Sequence, residues 1–304
     1  MRVALLGGNG FIGPHVANAL RAGGHDVVVL SRRSDVDRAD AASVRAALGD
    51  ADALVDLIAY TEAPAAALLE ALRNWRGRYV LISSADVYRN YGALQKRETA
   101  EITPPPLSES APLRVSRYPY RRDPPRPSDD ADSWQDAYDK IPIEDAVRRA
   151  RPDAVIARLP MVYGPGDKQR RFAWIIRAIA AGEVAAPQAW LDWRTSYGHV
   201  ADVGAAIAFL TTAPGAAGET FNVGPVDSPS HAGWVARFAA LMDWRGAVRA
   251  EESGPFAERL AGLDLRFPLA LDTGKLRALG FREATDLDAA LRALIAEENA
   301  RESG

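Results

Sequence analysis

The first thirteen residues, MRVALLGGNGFIG, constrain this chain more than any other stretch. Residues 2–6 form a short apolar run suited to a buried strand, and the run breaks directly into glycine. Gly7, Gly10 and Gly13 stand three apart, while Gly8, Gly10 and Gly13 also satisfy G-x-G-x-x-G. Residues 15–22 then carry Val16, Ala19 and Leu20 at the spacing of a helix packed on one face. Strand, glycine turn and helix in this order suit a phosphate cradle. The backbone must approach a pyrophosphate closely and take angles that a side chain forbids, and the helix start offers free N–H groups and a positive dipole end. This context assigns Gly7, Gly8, Asn9, Gly10, Phe11, Ile12 and Gly13 to dinucleotide binding.

A chain of 304 residues with 48% hydrophobic residues can bury one large α/β core or two lobes. The net charge of -3 gives no bulk attraction to nucleic acid or anionic lipid, so neither is expected as a partner. Cysteine is absent, which excludes disulfides, thiolate metal sites and a cysteine nucleophile. There is no run of eighteen apolar residues, and Met1 leads straight into the first strand, so the expectation is a cytoplasmic protein without a membrane segment. The scattered histidines have no ligand spacing, and no metal site is expected.

Residues 25–33 read as a second buried strand whose exit should lie by the adenosine ribose. Ser31, Arg32 and Arg33 stand where an acid would select NAD, and two arginines there favour NADP over NAD. Residues 52–60, ending in Tyr60, and 78–83 are further strands, with a helix pattern at 64–75 between them. Strands and helices alternating at this length imply an α/β fold, a doubly wound parallel sheet with ligands at the carboxyl ends of its strands. Tyr60 and Ser84 fall at those ends.

Residues 90–133 break the rhythm with repeated prolines and with Arg114, Arg117, Tyr118, Tyr120, Arg121 and Arg122 between them. The segment cannot be a long helix or strand, and its aromatics argue against plain disorder. A lid or substrate loop is expected, and its arginines would suit an anionic small-molecule substrate. Beyond it, a helix is expected from Trp134, a strand at 154–159, and helices at 172–181, 203–210, 230–242 and 286–298. Residues 220–224 are a short strand. Residues 1–165 are assigned mainly to the dinucleotide-binding domain and 166–304 mainly to a smaller substrate lobe interleaved with it.

Together GGNGFIG, SSADVY at 83–88, RLPMVYGPGD at 158–167, HVADVGAAI at 199–207, TFNVG at 220–224 and LDTGKLRALGF at 271–281 resemble the extended short-chain dehydrogenase/reductase family, the NAD-dependent epimerase/dehydratase group. The resemblance implies a Rossmann-type fold, NAD(P), a helix-bundle homodimer and a serine, tyrosine and lysine that do the chemistry. The tyrosine and lysine are written Y-x-x-x-K on one helix. Ser84 falls on the family's serine, and Lys140 on its lysine within K-x-x-x-E, where it would contact the cofactor ribose. Four residues before Lys140 stands Asp136, not tyrosine, which marks the chain as atypical. Tyr138, two residues before Lys140, would lie about 200° round a continuous helix and point away.

The catalytic candidates are therefore Ser84, Lys140, Asp136 and Tyr138, with the proton handled by Asp136, Tyr138 or a loop tyrosine. The function expected first is an NAD(P)-dependent oxidoreductase or epimerase/dehydratase on a polar small molecule such as a nucleotide sugar or glycosidic intermediate. A lysine-centred reductase or non-redox isomerase, and an inactive dinucleotide-sensing protein, are the alternatives on the same fold.

Overall fold

The computed structural model describes residues 1–31, 36–37 and 40–302. Its first half runs β1 (Arg2–Leu6), α1 (Gly13–Ala22), β2 (Asp26–Leu30), α2 (Ala41–Leu48), β3 (Ala53–Asp56), α3 (Glu62–Ala71) and β4 (Arg78–Ser84). After a short α4 (Arg89–Leu94) and a long irregular segment come α5 (Lys140–Ala150) and β5 (Val155–Leu159). The second half holds β6 (Met161–Tyr163), α6 (Ala173–Ala180), β7 (Val184–Ala186), α7 (Gln188–Asp192), β8 (Tyr197–His199), α8 (Val200–Thr212) and β9 (Thr220–Asn222). It closes with α9 (His231–Leu241), β10 (Val248–Ala250), α10 (Pro255–Leu260), α11 (Gly274–Ala278) and α12 (Leu287–Glu302).

Six strands form one parallel sheet in the order β2-β1-β3-β4-β5-β9. Buried on both faces, β1, β3, β4 and β5 are largely apolar, as parallel strands between two helical layers are, and the arginine inside β5, Arg158, is paired with Glu144. The chain steps outward from β1 to β2 and then reverses to β3, so the crevice opens where β1 and β3 diverge at their carboxyl ends. One face packs against α1 and α8, with Val16, Leu20, Val203 and Ile207 in its core. The other packs against α2, α3 and α5, with Val44, Leu68, Ile143 and Val147. Gly204 lets α8 sit against α1, because a Cβ there would lie 2.6 Å from the Cβ of His15.

The second half builds a separate aromatic core around Phe172, Trp190, Tyr197, Trp234 and Phe238. Two small parallel pairs, β6 with β8 and β7 with β10, frame it. Strand β9 nevertheless returns to the main sheet beside β5, so the two halves interleave. Among the described residues no helix is long and apolar enough to cross a membrane.

The proline-rich segment is pinned rather than free along its first part. Arg89 N–H donates to Pro112, Arg114 N–H to Val87, and Leu107 N–H to Ala270. Leu107 is buried with Tyr88, Leu94, Phe267 and Leu271 in a satellite core beneath the segment. The segment expected as a lid or substrate loop is thus bonded to the body along its first part and contributes Tyr120 to the cavity wall. The span acts as a strap, and only its later part, around Tyr120 and Trp134, overhangs the sheet's carboxyl edge.

Candidate active site

The glycine loop is shaped by contacts that leave no room for side chains. Gly7 has φ +81°, a region that favours glycine. A Cβ on Gly13 would lie 2.3 Å from the carbonyl oxygen of Gly8, and one on Gly8 would lie 2.9 Å from Val29. Gly10 N–H closes the turn onto Gly7 O at 3.0 Å. Helix α1 starts from Ile12, which supplies no side-chain cap, and its first turn holds no acid, so its positive end is left to face an anion. Phe11 and Ile12 pack onto the core and anchor the loop. Asn9 donates to Ser31 Oγ at 3.2 Å, joining the loop to the exit of β2. Arg32 and Arg33 lie outside the described residues.

Across the crevice, β4 ends at Ser84, which caps a short turn by accepting the N–H of Asp86 at 3.2 Å. Accepting there leaves the serine's own hydroxyl hydrogen available to donate. Lys140 is the first residue of α5 and is buried at 3% exposure. Its ammonium donates to Ala59 O at 2.7 Å and Ile82 O at 2.8 Å, bridging the ends of β3 and β4. It also lies 5.0 Å from the ring centre of Tyr60 and 5.7 Å from that of Tyr138.

The expectation that Tyr138 would face away from Lys140 is corrected here. Helix α5 begins only at Lys140, where the Asp139 carboxylate caps it by accepting the N–H of Ile141 at 3.1 Å. Tyr138 precedes the cap in extended backbone and pairs with Thr61 across a bridge, so helical angles do not apply to it. Its ring turns inward, and its phenol donates to Asp86 Oδ2 at 2.8 Å. The helix expected from Trp134 is a 3₁₀ turn, Ser133–Ala137, that ends before Tyr138.

Asp136 is held elsewhere. Its carboxylate accepts the backbone N–H groups of Arg122 at 3.0 Å and Arg126 at 2.6 Å, and pairs with the Arg126 guanidinium. Burial works to raise its pKa, but these bonds outweigh that and lower it. An anion bound this way clasps the strap to the 3₁₀ turn and is badly placed to trade protons with a substrate.

Asp86 is the carboxylate that enters the cavity. A cavity of about 420 Å³ is lined by Ser84, Asp86, Tyr91, Tyr120, Trp134, Tyr138, Met161, Gln169 and Arg171, among others. Asp86 is 4% exposed. Both the Tyr138 phenol and the Tyr120 phenol, at 3.1 Å, donate to its Oδ2, while its Oδ1 is buried without a hydrogen-bond partner. Burial raises its pKa, against the pull of Arg114, the Tyr138 bond and Lys140. Burial and the neighbouring Asp86 charge push the Tyr138 phenol well above 10.

Arg114 ties this arrangement to the strap. It donates to Asp86 O at 2.7 Å and to Asp139 Oδ1 at 2.6 Å, and the side chains of Arg114 and Asp139 are both fully buried. Sequence reasoning quoted Asp86 inside SSADVY without giving it a role. The signal was a carboxylate two residues past the serine, at the carboxyl end of a buried strand.

Tyr60 stacks on Trp134 with ring centres 4.9 Å apart, and both are about two-fifths exposed, at 38% and 42%. Trp134 lines the cavity, and Tyr60 packs behind it, against Tyr138 and Lys140. Tyr163 and His199, motif residues of the second half, meet each other in an edge contact near the aromatic core, outside this cavity. Among the described residues no group of three or more potential ligands could hold a metal.

A doubly wound parallel sheet with a tight glycine turn between its first strand and first helix is the architecture of dinucleotide-binding folds. A sequence model of the NAD dependent epimerase/dehydratase family matches residues 3–66 and 131–224, just over half of the chain, and the chain belongs to that family. Solved structures agree. A protein from Burkholderia cenocepacia J2315, provisionally described as an epimerase, is 25% identical with a TM-score of 0.65, over 98% of each chain. The UDP-glucose 4-epimerase of Thermus thermophilus, in complex with NAD, is 21% identical with a TM-score of 0.64, over 98% of this chain and 99% of that one. RMD from Pseudomonas aeruginosa, complexed with NADPH, is 18% identical with a TM-score of 0.66, over 99% and 98%. For the latter two the likeness is one of fold. None of the curated proteins matches the chain.

Proposed function

We propose that this chain is an NAD(P)-dependent oxidoreductase or epimerase/dehydratase acting at a carbinol carbon of a nucleotide-linked sugar or a similar polar substrate. The observation that carries the reading is that Ser84 and Tyr138 line one cavity, with the Lys140 ammonium 5.7 Å from the Tyr138 ring centre, in a chain whose glycine loop is packed for a pyrophosphate. The loop fits a dinucleotide on its own geometry: close contacts exclude side chains at Gly8 and Gly13, and the head of α1 is uncapped and free of acids. The nicotinamide supplies hydride transfer when bound. Ser84 and Tyr138 bind the substrate oxygen between them. Lys140 stands behind Tyr138, bridging two backbone carbonyls, and Tyr60 and Trp134 narrow the opening to water.

A second cavity of about 280 Å³ adjoins the first through Gln169 and Arg171 and is lined also by Arg170, Trp174, Arg177, Trp190 and Arg259. Arginines beside aromatic faces suit a diphosphate and a base. Glu298 pairs with Arg170 and Arg177, and Asp167 with Arg171, so the cavity is nearer neutral than its arginines suggest. A neutralised cavity supports release as well as binding. The preference for NADP rests on Arg32 and Arg33 in the sequence.

The bonds of Lys140 weigh against the lysine-centred alternative, because its ammonium donates to two backbone carbonyls and does not line the cavity. The test is a fluorescence titration with NADH and NADPH, repeated on Arg32→Ala, followed by a panel of UDP- and dTDP-linked hexoses. Binding of both cofactors, tighter for NADPH and weakened by the substitution, is expected. Binding of neither, or full turnover after Ser84→Ala, would overturn the reading.

A further inference from the structure

We propose that Asp86 and Tyr138 form a single proton-transfer unit in which Tyr138 meets the substrate and Asp86 is the terminal proton acceptor. The proposal rests on the reading of this cavity as a site of carbinol oxidation. Two observations carry it. The phenol of Tyr138 already donates to Asp86 Oδ2 at 2.8 Å, so a proton arriving at the phenol oxygen has a path onward. The carboxylate is also left one donor short, because Oδ1 is buried with no partner. A buried carboxylate without its full set of donors is costly as an anion and gains by taking up a proton.

A lone phenol is a poor base at neutral pH, and here nearby Lys140 is turned to backbone carbonyls. Coupling the phenol to a carboxylate removes that difficulty. A bound oxidised nicotinamide would supply the two-electron acceptor for the carbinol hydride. The substrate O–H proton passes to the Tyr138 oxygen as the Tyr138 proton passes to Asp86 Oδ2, and a C=O bond forms. The reverse direction begins with Asp86 protonated. Oxidation therefore speeds up as pH rises through the Asp86 titration, and reduction slows.

The groups facing Asp86 come from four elements. Ser84 lies on its own turn, Tyr91 on α4, Arg114 and Tyr120 on the strap, and Tyr138 and Lys140 at the head of α5. Of the two cations, Arg114 is matched by Asp139, whereas Lys140 contributes a positive field. Burial still dominates, and the Asp86 pKa stays above its ordinary value.

The experiment has two arms. Infrared titration of the protein alone should show a protonated-carboxyl band that disappears with rising pH, is missing in Asp86→Asn, and shifts its midpoint in Tyr138→Phe. A band that ignores Tyr138→Phe would show that the two residues share no proton and would overturn the proposal. In the second arm, Asp86→Asn should lower kcat on the active panel sugar by roughly 10²–10⁴-fold with little change in KM and should remove the corresponding limb of the pH profile, while Asp86→Glu recovers part of the rate. A kcat within a few-fold of the parent, with the pH limb intact, would overturn it equally. If no panel sugar turns over, the broader functional reading has failed, and the titration of wild type and Tyr138→Phe still decides the proton unit. The same arm decides if Asp86→Asn does not fold.

Discussion

Two buried carboxylates on neighbouring elements have opposite fates. Glu144, on α5, accepts from Ser83 at 2.5 Å, receives Arg158 through two nitrogens at 3.0 and 2.7 Å, and takes a further bond from Arg148 at 2.8 Å. Burial pushes its pKa up, but Arg158 and its other partners outweigh that and lower it. Asp86, just past the end of β4, has phenols for partners and one oxygen with none, and its pKa rises. Both side chains are buried alike; their compensation differs. A carboxylate saturated by charged donors holds strands and helix together, whereas one served by neutral donors keeps its proton affinity within reach of chemistry.

The sharpest way to break the comparison is to remove the compensated partner. Glu144→Gln leaves Arg158 buried without its counter-charge and should cost about 3–5 kcal/mol in urea denaturation. The sign of the pH dependence follows from the lowered pKa. Wild type holds this contribution above the ordinary value of 4.5 and loses it as pH falls through the folded value, and the variant should lack that acid limb. A loss under about 1 kcal/mol would mean that the network is a bystander.

His231 extends the contrast to a base. It is 3% exposed, bonded to Trp190 O and to the Tyr197 hydroxyl, and burial pushes its pKa down to about 4. Its neutral form is the folded form, so stability is present above the ordinary value of 6.5 and is lost as pH falls from there toward 4. The integrated loss is about 3 kcal/mol. Thermal melts across that window should steepen in wild type and flatten in His231→Gln.

Asp86 should behave oppositely. With its folded pKa raised, its contribution is greatest below the ordinary value of 3.8 and is lost as pH rises through the folded pKa. At neutral pH, Asp86→Asn should therefore be neutral to stabilising by about 1 kcal/mol while crippling turnover, the trade expected where activity depends on a poorly compensated group. Destabilisation as large as that of Glu144→Gln would place both carboxylates in the same structural class.

How much of this was legible in the sequence depends on how far apart the partners lie. Strands β1, β3, β4 and β5 are plain, because burial on both faces writes them as largely apolar runs, broken inside β5 only by Arg158. Helix α2 and the pairs β6–β8 and β7–β10 escaped notice, being short and held by tertiary packing. Ser84 and Lys140 are expected from the family resemblance, Ser84 within SSADVY and Lys140 within K-x-x-x-E. The placing of Tyr138 is not legible this way, because the spacing argument runs the helix past Asp139, where a carboxylate cap stops it. The Asp86 partnership spans 52 residues and is closed only when the Arg114 clamp brings the strap, the β4 exit and the α5 head together. No local period records such a contact.

The smallest expected effect tests the last pair. Asp136 and Asp86 are both aspartates near Tyr138, and spacing from Lys140 alone points to Asp136. The structure gives Asp136 two backbone donors and the Arg126 guanidinium, in a clasp that borders the cavity only through Gln135 and Trp134. Asp136→Asn keeps one oxygen for one of those N–H groups and loses the other bond and the ion pair, all within the clasp, so kcat should change by about twofold or less. Loosening of the clasp should appear instead as faster proteolysis around residues 121–127, because Arg122 and Arg126 both bond to the Asp136 carboxylate. A loss of turnover on the scale of Asp86→Asn, without a change in proteolysis, would return the proton chemistry to the family's usual spacing. Asp86 would then be a buried group that phenols merely solvate.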